Sequence, residues 1–256
     1  MKVLLLDAGN SRLKWAVADT LKPGSLSTTG VCGYGNDGLP ERLAQYWAGM
    51  PPIGRVLLSC VAGQHVVSSL ADTVRDQLGL AIDVLRPEGA CAGVINGYTD
   101  PGQLGVDRWL AMLGGRRLSG AAPAWIVDCG TAVTIDYINR HGEHCGGLIM
   151  SGLTLMPERL MLATAALGDT VIGDVNVTGP LVSLARDTAS AVMGGAMISL
   201  VASLDRIVAD IDASDEVVRI ITGGDGPAIA AHLAGHWFER PNLVLEGMAV
   251  YAEESG

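Results

Sequence analysis

The feature that most constrains this chain is that it repeats itself. The stretch LLLDAGNSRLKWAVAD, which begins at Leu4, returns as WIVDCGTAVTIDYINR from Trp125. Each copy is an apolar strand ending in Asp-x-Gly, a small polar turn and a second strand, so Asp7-Ala8-Gly9-Asn10-Ser11 answers to Asp128-Cys129-Gly130-Thr131. Asp7 and Asp128 stand 121 residues apart (128 − 7) in a chain of 256. A period that long excludes a short-repeat solenoid and implies duplication of a whole domain. Two lobes are expected, residues 1–120 and 121–256, divided in the stretch Gly120 to Ala124. Two similar lobes facing each other leave a cleft, a favoured place for a ligand.

Around the repeats the pattern alternates. Runs rich in Val, Ile and Leu predict strands at Val3 to Asp7, Leu13 to Ala18, Arg55 to Val61, Ile82 to Leu85, Trp125 to Asp128, Val133 to Ile138, Val217 to Ile221 and Leu243 to Leu245. Helical patterns lie between them at Leu39 to Trp47, Gln64 to Leu78, Gln103 to Leu118, Leu153 to Ala166, Leu181 to Val208 and Pro227 to Leu233. Alternation of this kind predicts an α/β fold with partly parallel, buried sheets.

Composition removes several function classes. The chain has 17 basic and 27 acidic side chains, a net charge of −10, and its only lysines are Lys2, Lys14 and Lys22. Such a surface repels a phosphate backbone, so nucleic-acid binding is not expected, and an anionic ligand needs local help from arginines, backbone N–H groups or a cation. The five cysteines form no C-x-x-C pair, which argues against a disulfide framework and a thiolate zinc site and fits a reducing cytoplasm. Asp7 interrupts the N-terminal apolar run too early for a signal peptide. The longest uncharged run, Thr188 to Leu204, carries several hydroxyls and two glycines and reads as a buried helix, so no membrane attachment is expected.

Several familiar motifs fail. No lysine follows a glycine, which rules out a P-loop. Gly33, Gly35 and Gly38 satisfy G-x-G-x-x-G, but STTGVC before them is a poor strand and no acid closes the next one, so a plain glycine turn is the better reading. His141, His144 and Cys145 lack a fourth ligand and read as an exposed hairpin turn. His232 and His236 share a helical face without an H-E-x-x-H pattern.

The two Asp-x-Gly turns carry chemistry. Taken singly, each reads first as a tight hairpin with Gly or Asn at φ > 0. Together they present two carboxylates and two hydroxyl-bearing turns, whose N–H groups can cradle phosphates while the aspartates hold a cation or its waters. Gly105-Val106-Asp107-Arg108 opens a helix; its first-turn aspartate either complements the dipole or serves as a base for an alcohol beside an anion-binding arginine. Thr188 precedes a long apolar helix and reads as an N-cap. Thr222-Gly223-Gly224 follows a strand as a turn open to close backbone approach.

Paired phosphate-binding hairpins in duplicated lobes resemble the superfamily of acetate and sugar kinases, Hsp70 and actin, with its ribonuclease H-like lobes. Asn96-Gly97-Tyr98, Gln103 to Trp109, Asp128 to Thr131, Gly146-Gly147-Leu148-Ile149, Asp187-Thr188, Thr222-Gly223-Gly224 and Leu245-Glu246-Gly247-Met248 follow one another as in type III pantothenate kinases. The resemblance covers essentially the whole chain. It implies ATP-dependent phosphorylation of pantothenate to 4'-phosphopantothenate, the first step of coenzyme A synthesis, in a cytoplasmic homodimer. By that resemblance Asp107 accepts the proton of the substrate hydroxyl, and Tyr98, Gly105, Val106, Arg108 and Thr188 contact substrate, Thr188 across a subunit interface. Asp7, Ala8, Gly9, Asn10, Ser11, Arg12, Leu13 and Lys14 hold ATP together with Thr131, Gly223 and Gly224. Asp7 also meets Mg²⁺, directly or through water, and Asp128 a monovalent cation, K⁺ or NH₄⁺.

The chain departs from the family in carrying Ser151-Gly152 where Pro-Gly is common, and Ser11 where a threonine is frequent. Two rivals remain: a kinase of another small alcohol or of polyphosphate, and a non-catalytic regulator on the same fold. The regulator should have lost Asp7, Asp107 or Asp128, and all three are present. Met193, Met197, Ile198, Leu200 and Val201 give the long helix more than one apolar face, and the second face is expected to bury itself against another copy of the chain.

Overall fold

Two five-stranded sheets carry the fold, and they are wired alike. A computed structural model describes residues 1–34, 38–164, 184–211 and 216–255. One sheet has the order β3(Leu26–Gly33), β2(Arg12–Asp19), β1(Lys2–Ala8), β4(Arg55–Cys60), β5(Ile82–Val84). The other has the order β10(His144–Ser151), β9(Ala132–Ile138), β8(Ala124–Cys129), β11(Val218–Thr222), β12(Phe238–Glu239). In each, an antiparallel hairpin, β1–β2 or β8–β9, is continued by parallel strands, β4 and β5 or β11 and β12. A two-stranded ribbon, β6(Ala90–Cys91) and β7(Val94–Ile95), joins the first unit. The repeat legible in the sequence is therefore a repeat of whole sheets.

The compact units are Met1–Ala121 with His141–His144 and Asn242–Gly256, and Ala122–Arg140 with Cys145–Pro241. In the first, Leu4, Leu6, Leu13, Trp15, Val56 and Leu58 face one way, against α1(Leu39–Trp47) and α2(Gln64–Leu78). Both helices have the predicted bounds. The buried residues of α2, Val66, Leu70, Thr73 and Val74, recur at helical spacing, and Gly79 ends it in the left-handed conformation. The opposite face of the sheet is covered by α3(Val106–Ser119) and α7(Leu243–Glu254).

Helix α7 corrects the expected strand at Leu243 to Leu245. Leu243, Val244, Leu245, Gly247, Met248, Ala249, Val250 and Ala252 are all buried, so the segment has no polar stripe from which a helical period could be read. It crosses α3 at two glycines: a Cβ on Gly247 would lie 1.7 Å from the Leu110 carbonyl oxygen, and one on Gly114 would lie 2.7 Å from that of Leu243. The last helix thus completes the unit that the first strand begins. A second correction is β3(Leu26–Gly33), an edge strand formed by the stretch STTGVC that reads as a poor strand. Gly30 is needed there because the Trp15 ring occupies the space of a side chain, 2.1 Å from where a Cβ would stand.

In the second unit α5(Thr188–Ile211) supplies Met193, Ala196, Met197, Leu200, Val201, Leu204 and Val208 to a core with Trp125, Val127, Val133, Ile135 and Ile221. The described part of the predicted helix begins at Thr188; Leu181 to Ser183 lie outside the described residues, as do Ala165 and Ala166 beyond α4(Leu155–Ala163). Its cap is Asp187 rather than Thr188: the Ser190 N–H donates to Asp187 Oδ1 at 2.9 Å, and this bond holds the carboxyl below its ordinary range. Of the residues expected to give a second apolar face, Met193, Met197, Leu200 and Val201 are buried within their own unit, and Ile198 alone is half-buried. The outward side carries the small residues Ala191, Gly195, Ser199 and Ala202, and a Cβ on Gly194 or Gly195 would meet nothing within 4 Å. By length and composition α5 could cross a membrane, but its large side chains serve this core.

Candidate active site

The first hairpin turns through Gly9, Asn10 and Ser11, with the Gly9 N–H donating to the Arg12 carbonyl at 3.1 Å. Tyr34 fastens it from the residue after β3, its hydroxyl donating to the Gly9 carbonyl at 2.7 Å; burial pushes that phenol far above its ordinary range. The second hairpin turns through Gly130 and Thr131 only, with the Gly130 N–H on the Ala132 carbonyl at 3.1 Å and the Gly152 N–H on the Thr131 carbonyl at 3.0 Å. Gly152 fits because a Cβ there would lie 2.3 Å from the Gly130 carbonyl oxygen, and it follows Ser151 directly. Burial also raises the Cys129 thiol, which stays protonated.

The hairpin glycines behave differently from expectation. Neither Gly9, Asn10 nor Gly130 has a positive φ. A Cβ at Gly9 or Gly130 would meet only ordinary contacts, 3.5 Å from the Arg12 carbonyl oxygen and 3.6 Å from that of Ala132. The chain itself therefore does not demand glycine at either turn. Their smallness keeps the backbone N–H groups approachable from outside, which suits phosphate oxygens.

Each aspartate lies one residue short of the end of its strand. Asp7 pairs with Lys14 on β2 and with Ser59 on β4. Asp128 pairs with Thr134 on β9 and with Thr222 on β11. Because Leu6 and Ala8 face α1 and α2, alternation turns Lys14, Asp7 and Ser59 together to the opposite face. Gly223, with φ +91°, closes on the second aspartate: a Cβ there would lie 2.6 Å from Asp128 Oδ1 and 2.3 Å from the Cys129 carbonyl oxygen. Gly224 faces open space.

The third group gathers at the start of α3. Gly105 precedes the helix, and Asp107 Oδ1 accepts the N–H of Arg108 at 2.8 Å. A Cβ on Gly105 would stand 2.7 Å from that oxygen, so glycine is what lets the carboxylate fold over the helix start. Arg108 is buried, its guanidinium donating to the Tyr98 hydroxyl at 2.9 Å with its carbon 5.7 Å from the centre of the Tyr98 ring. Val106 is buried beside it, and the exposed Thr188 belongs to the other unit.

Two residues here were missed as site builders. Asn96 accepts the Tyr98 N–H at 3.0 Å and donates to the Glu88 carbonyl at 3.1 Å, which fixes the tyrosine loop. His144 stacks on the Tyr98 ring with centroids 5.9 Å apart, and its carbonyl lies so close to Gly97 that a Cβ there would meet it at 1.9 Å. The expected exposed turn at His141 to Cys145 is thus partly wrong, since His144 is buried. The sequence signal was RHGEHC, read for metal ligands instead of stacking. Among the described residues no cluster of three His, Cys, Asp or Glu side chains could hold a metal ion. His232 and His236 do not share a helix, because α6(Gly226–Ala230) ends first; His236 meets Phe238 edge-on. Gly33 ends β3, Gly38 caps α1, and Gly35 lies outside the described residues.

Residues 3–210 match a family model described as type III pantothenate kinase. A type III pantothenate kinase of Nitrosococcus oceani is 35% identical over 99% of this chain and 94% of its own length. One from Halorhodospira halophila is 37% identical over 96% and 95%. Among solved structures, the activator of 2-hydroxyisocaproyl-CoA dehydratase from Clostridium difficile, with bound ADPNP, superposes with a TM-score of 0.57 at 13% identity over 100% of this chain and 95% of that one. A ROK family glucokinase from Streptomyces griseus, in complex with glucose and AMPPNP, gives 0.50 at 13% over the whole of both chains. The likenesses to these solved structures show the fold, an actin-like α/β fold.

Proposed function

The chain belongs to the type III pantothenate kinase family, and from that membership we propose how its residues divide the work of phosphorylating pantothenate with ATP. It is an ATP-dependent kinase whose product, 4'-phosphopantothenate, enters coenzyme A synthesis. The observation that carries the residue assignment is the start of α3, where Asp107 is folded over the helix end by Gly105 and Arg108 is fixed by Tyr98.

Asp107 is the proton acceptor for the primary hydroxyl of pantothenate. Arg108 supplies positive charge for an anionic group of the substrate, with Tyr98, Gly105 and Val106 shaping the site. Phosphoryl transfer of this kind asks the protein mainly for positioning and charge neutralisation. Gly9 to Lys14, following Asp7 and Ala8, and Thr131 offer N–H groups, hydroxyls and the Lys14 ammonium to the phosphates, while Gly223 and Gly224 leave room for the nucleoside.

The donor set fits the expected cations. Magnesium keeps several waters and binds through one or two carboxylates plus phosphates, so Asp7 suffices without a protein cage. When bound, it neutralises phosphate charge. Asp128, flanked in register by the hydroxyl-bearing Thr134 and Thr222, offers oxygens suited to K⁺ or NH₄⁺. The enzyme works in the cytoplasm as a homodimer, with the small-residue side of α5 against a second copy and Thr188 completing the neighbour's substrate site. Light scattering should give twice the chain mass at assay concentration; an active monomer would refute this.

The direct test measures ADP release with and without pantothenate, and mass spectrometry of the product. Release should depend on pantothenate, and Asp107→Asn should cut turnover by about a hundredfold or more, the scale of general-base loss. Full activity of that variant at neutral pH would remove Asp107 from its role.

A further inference from the structure

Ser59 stands at an unexplained position. It is 1% exposed, and its hydroxyl has no hydrogen-bond partner among the described residues. Buried hydroxyls without partners are uncommon because desolvating one costs free energy that nothing returns. The position is not remote: Ser59 pairs with Asp7 on the adjacent parallel strand, near the carboxyl ends of both. Leu58 packs toward α1 and α2 like Leu6, so Ser59 and Asp7 point together to the face covered by α3 and α7. Residues in register on neighbouring strands lie about 4.8 Å apart, within the reach of one water bridging two short polar side chains.

We infer that Ser59 is a positioning residue whose hydroxyl binds, together with Asp7, a water of the divalent cation that accompanies the nucleotide. This rests on the reading of Asp7 given above. The hydroxyl accepts a hydrogen bond from that water, which in turn donates to Asp7, so the aspartate and the water stay aligned. The same register position in the second sheet also carries a hydroxyl, Thr222 beside Asp128, so an alcohol next to the strand-end aspartate recurs in both halves.

The test is Mn²⁺ binding to the protein–ADP complex, read from loss of the free-ion paramagnetic resonance signal, which is independent of turnover. Ser59→Ala should raise the half-saturating Mn²⁺ concentration by about tenfold, the lower end for losing a group that orients a metal ligand. Its melting temperature without nucleotide should hold or rise, because an unpartnered hydroxyl has been removed. Ser59→Thr, which keeps the hydroxyl, should restore the Mn²⁺ curve. A Ser59→Ala curve that superposes on the parent, or a shift that threonine does not restore, overturns the inference. Asp7→Asn separates the two readings: if it leaves Mn²⁺ binding intact, the assignment of Asp7 falls and takes Ser59 with it. If Asp7→Asn abolishes binding and Ser59→Ala does not weaken it, only the role of Ser59 fails.

Discussion

The two hairpins share strand order, register and an aspartate next to the strand end, yet their neighbours differ. Asp7 lies between Lys14 and Ser59, whereas Asp128 lies between Thr134 and Thr222. The first turn has three residues between its strands and the second has two. What is common belongs to the duplicated fold; what differs is chemistry. A lysine beside a carboxylate favours an anion that brings its own cation, as nucleotide phosphates do, and disfavours a bare monovalent ion. Hydroxyls beside a carboxylate offer neutral oxygens and no competing charge. This difference is what the proposed reading uses when it gives phosphate and magnesium to the first row and potassium or ammonium to the second.

The comparison breaks most sharply at Asp7. Asp7→Asn should lower turnover by about a hundredfold at saturating potassium, the scale on which a preorganised electrostatic contact is lost. A variant within threefold of the parent would show that the first row does not carry the phosphate charge.

A smaller effect sharpens what the hairpins have in common. Gly9→Ala and Gly130→Ala meet no clash inside the chain, so their melting temperatures should stay close to the parent value. Each methyl stands where a phosphate would approach, and the KM for ATP should rise by about tenfold, the cost of roughly one lost charge-assisted contact. A fall in melting temperature with unchanged KM would make both glycines features of the fold alone.

Much of this arrangement was legible beforehand. The repeated Asp-x-Gly strands are buried apolar runs ended by turn chemistry, a local pattern, and α1 and α2 carry their helical period in their own residues. Helix α7 was hidden because it is apolar on nearly every side, and its partner α3 is more than a hundred residues earlier; only Gly247, pressed on Leu110, hints at the crossing. At the site, Asp107 and Arg108 announced themselves at a helix start. Asn96 stood only as a member of Asn96-Gly97-Tyr98 and His144 only as a candidate ligand, because a loop amide and a stacked imidazole act through Tyr98 by contacts that only the fold supplies. Ser59 escaped for the same reason, since its meaning comes from a register with Asp7 that only the sheet supplies. The capping aspartate was overlooked because Asp187 and Thr188 are both good caps, and their order in the chain does not say which one stands first in the helix.

The division of labour between the two rows is tested most directly by titrating potassium into sodium buffer at fixed magnesium, for the parent enzyme and for Asp128→Asn. The parent should be nearly inactive in sodium alone and rise with potassium or ammonium, while Asp128→Asn should lose that response yet still bind Mn²⁺ with ADP. Equal parent activity in sodium and potassium, or an Asp128→Asn enzyme that keeps the full potassium response, would contradict it.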